Sequence, residues 1–447
     1  MIKFSELNLI EPLQKSLLLQ GYEIPTAIQA QSIPFLIKGK DLLGVAQTGT
    51  GKTAAFSLPL LQSLTRSAIG RPKAGKPRAL ILAPTRELAI QIGDSIKIYG
   101  KFLSIITTTI YGGISQLKQI AALNRGVDIV VSTPGRLLDL INQNKISLKG
   151  IEFYVLDEAD RMLDMGFIHD VKKITKQIPE KRQTLLFSAT MPNEIANLAK
   201  GLLNNPVKIE VAVQSTTADR IDQQVLFVEK SKKRNLLSYI LEDKGVSRAL
   251  VFTRTKHGAN RVAKYLEQQN IRTGVIHGNK SQNARQNALK GFKDGKLRIL
   301  VATDIAARGI DIDKVTHVIN FNLPNEPEIY VHRIGRTARA GLEGQAISFC
   351  DEEERDYLFD IERVIRKFVD VRVEHPFHAQ NIRDAKKSFA RKNNNRATSG
   401  ANGEKRQKLT SSHKKKRPKG GNKHGIMELK NIKSQNSRKK RPQSGKN

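Results

Sequence analysis

The chain has 447 residues, 39% of them hydrophobic, with 76 Lys and Arg against 42 Asp and Glu for a formal net charge of +34. That length suffices for two or three cores, and that charge favours a polyanionic partner, either nucleic acid or an acidic membrane surface. The single cysteine, Cys350, excludes an internal disulfide framework and a cysteine-rich zinc site and fits a reducing compartment.

The first 21 residues, MIKFSELNLIEPLQKSLLLQG, predict a helix rather than a leader peptide. Glu6 and Glu11 interrupt the apolar residues, and Leu13 and Leu17 fall at helical spacing. No run of 18 apolar residues occurs, so no membrane span is expected and a cytoplasmic setting follows. Next come LLGV (42–45), AQTGTGKT (46–53) and AAFSLPLLQSL (54–64), which read as strand, glycine-rich turn and helix. This is the context of a phosphate loop. Gly49 and Gly51 let backbone N–H groups converge on phosphate oxygens, Lys52 reaches the β- and γ-phosphates, and Thr53 offers a hydroxyl to Mg²⁺. Ala46 replaces the usual first glycine. The competing reading, a purely structural glycine turn, does not explain the strand before it and the helix after it.

RALILAPTREL (78–88), VDIVVSTPGRLLDL (127–140), FYVLDEADRML (153–163) and RQTLLFSATMP (182–192) each couple a short apolar run to a polar turn and a helical pattern. Continuous apolar strands of this kind suit a parallel sheet covered on both faces. In VLDEADRML, Asp157 stands at a strand tip, where Mg²⁺ beside a triphosphate needs a carboxylate. Glu158 points differently and suits a general base for an attacking water.

The polar stretch VAVQSTTADR (211–220) reads as a linker. A second set follows: RALVFTRTKHG (248–258), RTGVIHGNKSQ (272–282), LRILVATDIAARGID (297–311) and VTHVINFNLP (315–324). Ala79-Leu80 with Thr85 precede Ala249-Leu250 with Thr255 by 170 positions, and Ile129, Val131 and Thr133 precede Ile299, Val301 and Thr303 by the same 170. A shared offset argues for a duplicated α/β unit against chance likeness of generic strands. In YVHRIGRTARAG (330–341), Arg336 and Arg339 share one helix face and suit the charge of a phosphoryl-transfer transition state. Without the phosphate loop they would read as a solvated basic face. DEEERD (351–356) reads as a solvated helix start without function. After residue 341 neither heptads nor a clear apolar patch is apparent, so the sequence is silent on oligomeric state; a monomeric core is the expectation. From 381 to 447 the chain holds 22 Lys and Arg against 3 acids, with one aromatic residue, Phe389, which predicts a disordered basic tail. The expected division is a first domain at 1–210, a linker at 211–220, a second domain at 221–378 and the tail at 379–447.

Together these residues closely resemble the DEAD-box RNA helicases over residues 4 to 375. The resemblance implies two tandem RecA-like domains, each a mostly parallel sheet with helices on both faces. GYEIPTAIQ (21–29) looks like the Q motif, with Gln29 reading the adenine edge and Phe4 stacking near the base. AQTGTGKT is the family's form of the loop, so that Ala46, Gln47, Thr48, Gly49, Thr50, Gly51, Lys52 and Thr53 would wrap ATP, with Thr53 and Asp157 on Mg²⁺. Glu158 would be the base, Asp311 would face the ribose, and Arg336 and Arg339 would reach the phosphates. Pro84, Thr85, Arg86, Gly112, Gly113, Thr133, Pro134, Gly135 and Arg136 would hold RNA in the first half. Arg254, Gln282, Arg285, Thr303 and Asp304 would do so in the second. Ser188, Ala189 and Thr190 would link ATP state to RNA binding with Asp160 and His332; whether Asp160 binds Ser188, Thr190 or His332 stays open. Ala338 departs from the commonest family form, which has glycine there.

The implied activity is RNA-stimulated ATP hydrolysis coupled to local, largely sequence-independent separation of short RNA duplexes. Ribosomal precursors or RNA-decay proteins would be its partners. The compact core with a basic tail looks most like the bacterial RhlE-type subgroup. Two other readings stand beside it: an RNA chaperone annealing strands through its tail, and a DNA translocase. For the tail itself, salt-sensitive RNA affinity competes with nuclear import through HKKKRPK (413–419) and with a merely solvated tail.

Overall fold

Four-residue apolar runs, separated by helices, assemble into two seven-stranded sheets in the computed structural model, which describes residues 2–47, 49–67, 70, 72–211, 221–307, 315–337 and 344–383. The first sheet contains β1 (Leu42–Val45), β2 (Ala79–Leu82), β3 (Thr107–Ile110), β4 (Ile129–Ser132), β5 (Phe153–Leu156), β6 (Gln183–Ser188) and β7 (Val207–Glu210). The second contains β8 (Ile221–Phe227), β9 (Ala249–Phe252), β10 (Thr273–Ile276), β11 (Ile299–Ala302), β12 (His317–Asn320), β13 (Gly344–Cys350) and β14 (Asp370–Val371).

Every strand pairing within the two sheets is parallel. Parallel strands need helical crossovers, and those helices cover both faces. The pleat therefore sends alternate side chains into separate cores. In β2, Ala79 and Ile81 join one cluster while Leu80 and Leu82 join another. In β9, Ala249 and Val251 part in the same way from Leu250 and Phe252.

The strand orders are β3-β4-β2-β5-β6-β1-β7 and β10-β11-β9-β12-β13-β8-β14, the same order once each half is numbered from its own first strand. The pairs offset by 170 residues, β2 with β9 and β4 with β11, occupy equivalent places. The likeness reaches the helix caps: Thr85 Oγ1 accepts from Leu88 N–H at 3.2 Å, and Thr255 Oγ1 from Gly258 N–H at 3.0 Å. The two-domain RecA-like architecture expected from the sequence is the one observed.

At the N-terminus, the helix Glu11–Leu19 buries Leu13 and Leu17 as its spacing requires. No helix among the described residues is long and apolar enough to cross a membrane. Residues 212–220, most of the expected linker, and residues 384–447 lie outside the described residues. One boundary needs correction. Ala379 and Ile382 are buried in the second half's core, and the Ala379 N–H donates to the Phe227 carbonyl at 3.1 Å, so 379 is too early a start for the tail. After 341, Phe359 and Phe368 are both exposed and line one cavity, an apolar feature that the sequence did not announce.

Candidate active site and nucleic-acid interface

The chain leaves β1 at Val45 and turns through the glycine-rich loop before the helix Lys52–Arg66. Gly51 adopts φ 91°, and a side chain there would run into the Gln29 amide, so glycine is required. Lys52 is buried, and its Nζ donates to the Ala46 carbonyl at 3.0 Å, across the loop. The Thr50 hydroxyl donates to the Gln47 carbonyl at 2.8 Å. Gln29 lies in the first turn of the helix Ala27–Ile37, where its Oε1 accepts from the Thr26 N–H at 2.9 Å and its Nε2 donates to the Gly51 carbonyl at 3.0 Å. The residue expected to read an adenine edge thus also holds the end of the loop. Phe4, tied by its N–H to the Glu23 carbonyl, is buried beside the same cleft. That cleft has a volume of about 650 Å³ and is lined by Phe4, Gln29, Gly49, Gly51, Lys52, Thr53, Asp157 and Glu158, with Arg336 from the second half.

Asp157 follows directly on β5 and is 2% exposed. Burial pushes its carboxyl up to about 6, with Glu158 adding to the shift and Lys52 opposing it. Its Oδ1 is buried with no hydrogen-bond partner among the described residues. An ionised, under-satisfied carboxylate beside a phosphate loop fits a hydrated Mg²⁺. Among the described residues no group of three or more His, Cys, Asp or Glu forms a metal cage, so such an ion would need the substrate's phosphates as well. Glu158 has φ 56° and ψ 53°, left-handed geometry that costs a non-glycine residue about 1–2 kcal/mol. This turn separates its side chain from that of Asp157 and delivers it to Arg161 at 3.1 Å.

Asp160 answers the question left open by the sequence. Its Oδ2 accepts from the Ala189 N–H (3.1 Å), the Thr190 N–H (2.9 Å) and the Thr190 hydroxyl (3.1 Å), and its own N–H donates to Ser188 Oγ at 3.2 Å. All of Ser188-Ala189-Thr190 is therefore fastened to the start of the acidic helix. His332 borders a small cavity with Asp304, Arg333 and Arg336 in the second half.

The candidate RNA residues gather at helix starts, where unpaired N–H groups suit phosphate oxygens. Thr85 caps the helix Arg86–Tyr99, and Thr133 precedes the helix Pro134–Asn142, which begins with Pro134, Gly135 and Arg136. The Arg86 guanidinium packs on Gly112 and Gly113, and a side chain at Gly113 (φ 83°) would strike it. Burial and the nearby Arg285 both lower its proton affinity, a sign of crowded cations that an anion would relieve. Arg86 also donates to Gln282 Oε1 at 3.3 Å, which joins the two halves. Thr303 and Asp304 open the short helix Asp304–Ala307, and both Asp304 oxygens are taken by Arg333, at 2.5 and 2.8 Å. Thr48, Asp311 and Arg339 lie outside the described residues.

Several functional contacts carried no local signal in the sequence. Glu87 accepts from Gln282 Nε2 at 3.0 Å and pairs with Arg285 at 2.9 Å, across the two halves. Arg161 pairs with Glu158 only because of the left-handed turn. The reading of DEEERD as a solvated helix start is overturned: Asp351 and Glu354 are buried, and both pair with the buried Lys233. Glu354 also accepts from Arg254 Nη2 at 3.0 Å and so positions a candidate RNA contact, while Tyr357 packs on the same guanidinium. Lys233 lies 121 residues from Glu354 in the chain, too far for composition to pair them.

Comparison with known proteins agrees with this geometry. The DEAD/DEAH box helicase family matches residues 26–198, and the helicase conserved C-terminal domain matches residues 231–341. The ATP-dependent RNA helicase CshA of Listeria monocytogenes is 45% identical over 369 residues, covering 82% of this chain and 69% of the relative. The DEAD-box ATP-dependent RNA helicase CshA of Bacillus subtilis is 43% identical over 375 residues, covering 84% and 74%. Among solved structures, Dbp5 of S. cerevisiae bound to RNA and ADP BeF3 superposes with a TM-score of 0.72 at 32% identity, covering 82% of this chain and 93% of that one. The DEAD-box helicase Mss116 bound to ssRNA and UDP-BeF gives 0.75 at 28% identity, covering 86% and 82%. With a phosphate loop, acidic strand tip and cross-domain arginine in one cleft, and relatives of this identity and coverage, the chain belongs to the DEAD-box family of ATP-dependent RNA helicases.

Proposed function

We propose that this chain couples Mg²⁺-dependent ATP hydrolysis to local, largely sequence-independent separation of short RNA duplexes. The observation that carries this reading is the meeting, in one cleft, of Lys52, Asp157 and Glu158 with Arg336 of the other half. Lys52 exchanges its bond to the Ala46 carbonyl for phosphate oxygens, and the adenine edge is read by Gln29 beside Phe4. Thr53 and Asp157 would hold a hydrated Mg²⁺, which would neutralise phosphate charge when bound. Glu158 accepts the proton of the attacking water, and Arg336, with Arg339 beside it in the sequence, meets the charge that develops on the transferred phosphoryl group.

Asp160 carries the nucleotide state to Ser188–Thr190, and Glu87 with Arg86 carries it to Gln282 and Arg285. RNA is held along the helix starts through phosphate and sugar, so base identity matters little and the 2′-hydroxyl distinguishes RNA from DNA. A strand bent along both halves departs from A-form geometry and loses its partner; hydrolysis then releases it. Neither annealing through the tail alone nor DNA translocation gains support from relatives that are named RNA helicases.

A cytoplasmic setting, a monomeric core, and ribosomal precursors or RNA-decay proteins as partners belong to the same proposal. The RhlE-type subgroup rests on tail composition alone, while the relatives reported above carry the CshA name. A steady-state ATPase titration with RNA, and separately with DNA, tests the whole. RNA should raise turnover where DNA does not, and equal stimulation by both would overturn the assignment.

A further inference from the structure

The helix Arg355–Ile365 buries Leu358 and Ile361 and turns Phe359 outward, 56% exposed. It ends at Arg366, held in left-handed geometry (φ 55°, ψ 31°), after which the chain reverses. The reversal places Phe368, 76% exposed, on the same cavity as Phe359. The cavity has a volume of about 190 Å³, and its rim carries Arg363, Arg366 and Lys367. Asp360 pairs with Arg363 at 3.0 Å, and Glu362, which also lines the cavity, is buried and accepts from the Val369 N–H at 3.3 Å.

Aromatic rings and arginines are also enriched at protein interfaces, and it is the basic stretch into which the chain continues that favours a polyanion for these rings and cations. They are the components of a single-stranded nucleic-acid site, in which rings stack on bases and guanidinium groups meet phosphates. The cavity is lined by both rings and by the basic side chains. It lies beyond residue 341, where the match to the helicase C-terminal domain ends, and it contains none of the residues of the cleft or the helix-start interface. The chain continues from it into residues 381–447, with their 22 Lys and Arg against 3 acids.

We infer that Phe359 and Phe368, with Arg363, Arg366 and Lys367, form an accessory single-stranded RNA site that stacks a base on the aromatic rings, separate from the interface spanning the two halves. It goes beyond the proposed ATP-coupled activity and does not depend on it. The test uses the full chain and a single-stranded oligouridylate carrying 4-thiouridine, with binding followed by anisotropy across a salt series. F359A/F368A should bind about tenfold more weakly at high salt, where charge contacts are screened, with an unchanged salt slope. R363Q/R366Q/K367Q should instead flatten the slope. Both variants should keep the thermal midpoint and nucleotide affinity of the parent, since these side chains are exposed. Photocrosslinks should map to the peptide containing Phe359 or Phe368. Parental RNA affinity of both variants at every salt concentration, with no crosslink to this peptide, would overturn the proposal. So would a changed sedimentation coefficient of F359A/F368A with RNA binding intact, which would make this face a protein interface.

Discussion

The Arg161 guanidinium lies 3.1 Å from the Glu158 carboxylate, and each side chain is only 4% exposed. A buried carboxylate held by an arginine three residues on is fixed in position, as a general base must be before a water arrives. Replacing Glu158 by Gln keeps the shape, removes the proton acceptor and leaves Arg161 without its anion. ATP and RNA binding should persist in E158Q while turnover falls roughly 10²- to 10⁴-fold, so that the RNA complex outlives that of the parent. Single-turnover hydrolysis at saturating RNA checks this, and a parental rate would remove Glu158 from its role.

Asp157 makes a pH prediction with a definite sign. Its folded-state value of about 6 lies above the ordinary 3.8, first because of burial, so protonation favours the folded nucleotide-free protein. That stabilisation is fully present below about 3.8 and is lost as pH rises through about 6. D157N bears no such charge. Its stability advantage over the parent should therefore be absent in acid, grow through this window, and level off on the order of 1–3 kcal/mol at neutral pH. With Mg²⁺ and ATP present the ranking should reverse, because the ionised carboxylate is the binding form. Thermal melts of both proteins across the window, with and without nucleotide, decide the matter, and a constant difference at all pH values would count against it.

Glu87 bonds to both Gln282 and Arg285 across the two halves. Removing it leaves those groups and Arg86 without the anion among them. E87A should bind ATP alone as the parent does, but the effect of ATP on RNA affinity should shrink roughly tenfold. Titrating each ligand in the presence of the other measures this coupling. Reciprocity requires the same loss in both directions, and undiminished coupling would confine Glu87 to a local role.

The buried cluster of Lys233, Asp351 and Glu354 supports Arg254 from beneath. E354Q removes the carboxylate shared by Lys233 and Arg254 and should destabilise the protein on the order of 3 kcal/mol. Combining it with K233M and D351N, so that no charge of the cluster is left buried without a partner, should recover part of that stability without restoring RNA affinity, since Arg254 would still lack its anchor. Denaturant unfolding and RNA binding of the single and combined variants separate the two effects, and full recovery of both would mean that Arg254 needs no support.

The parts of the molecule written in local patterns were readable in advance. The phosphate loop and the strand tips depend on residues within one turn of each other. So does the 170-residue offset, because it repeats whole strand–loop units. What escaped reading depended on backbone turns or distant partners. Arg161 meets Glu158 through a left-handed residue that no pattern announces, and Lys233 meets Glu354 from another element. Phe359 and Phe368 look like ordinary apolar residues until the reversal at Arg366 leaves both exposed. The two-residue strand β14 is too short to leave a periodic signal, and the packed segment that follows it has no apolar periodicity to separate it from the tail.

That misplaced boundary yields a prediction about truncation. Ending the chain after residue 383 removes most of the basic excess while retaining Ala379 and Ile382, both buried in the second half. This form should fold with parental stability and bind ATP normally. Its RNA affinity at low salt should fall, and the slope of affinity against salt should flatten, because counterion release scales with the phosphates neutralised. Ending the chain after residue 378 removes those charges and that of Arg383, together with those two side chains and the bond from Ala379 to Phe227. Burial of one Ile or Leu contributes about 1.5–3 kcal/mol, so the shorter form should unfold at clearly lower denaturant concentration, with a similar salt slope. Unfolding curves and salt titrations on the two truncations distinguish charge from packing. Equal stability of both would show that residues 379–383 contribute nothing to the fold, and an unchanged salt slope in both would show that the tail contributes nothing to RNA binding.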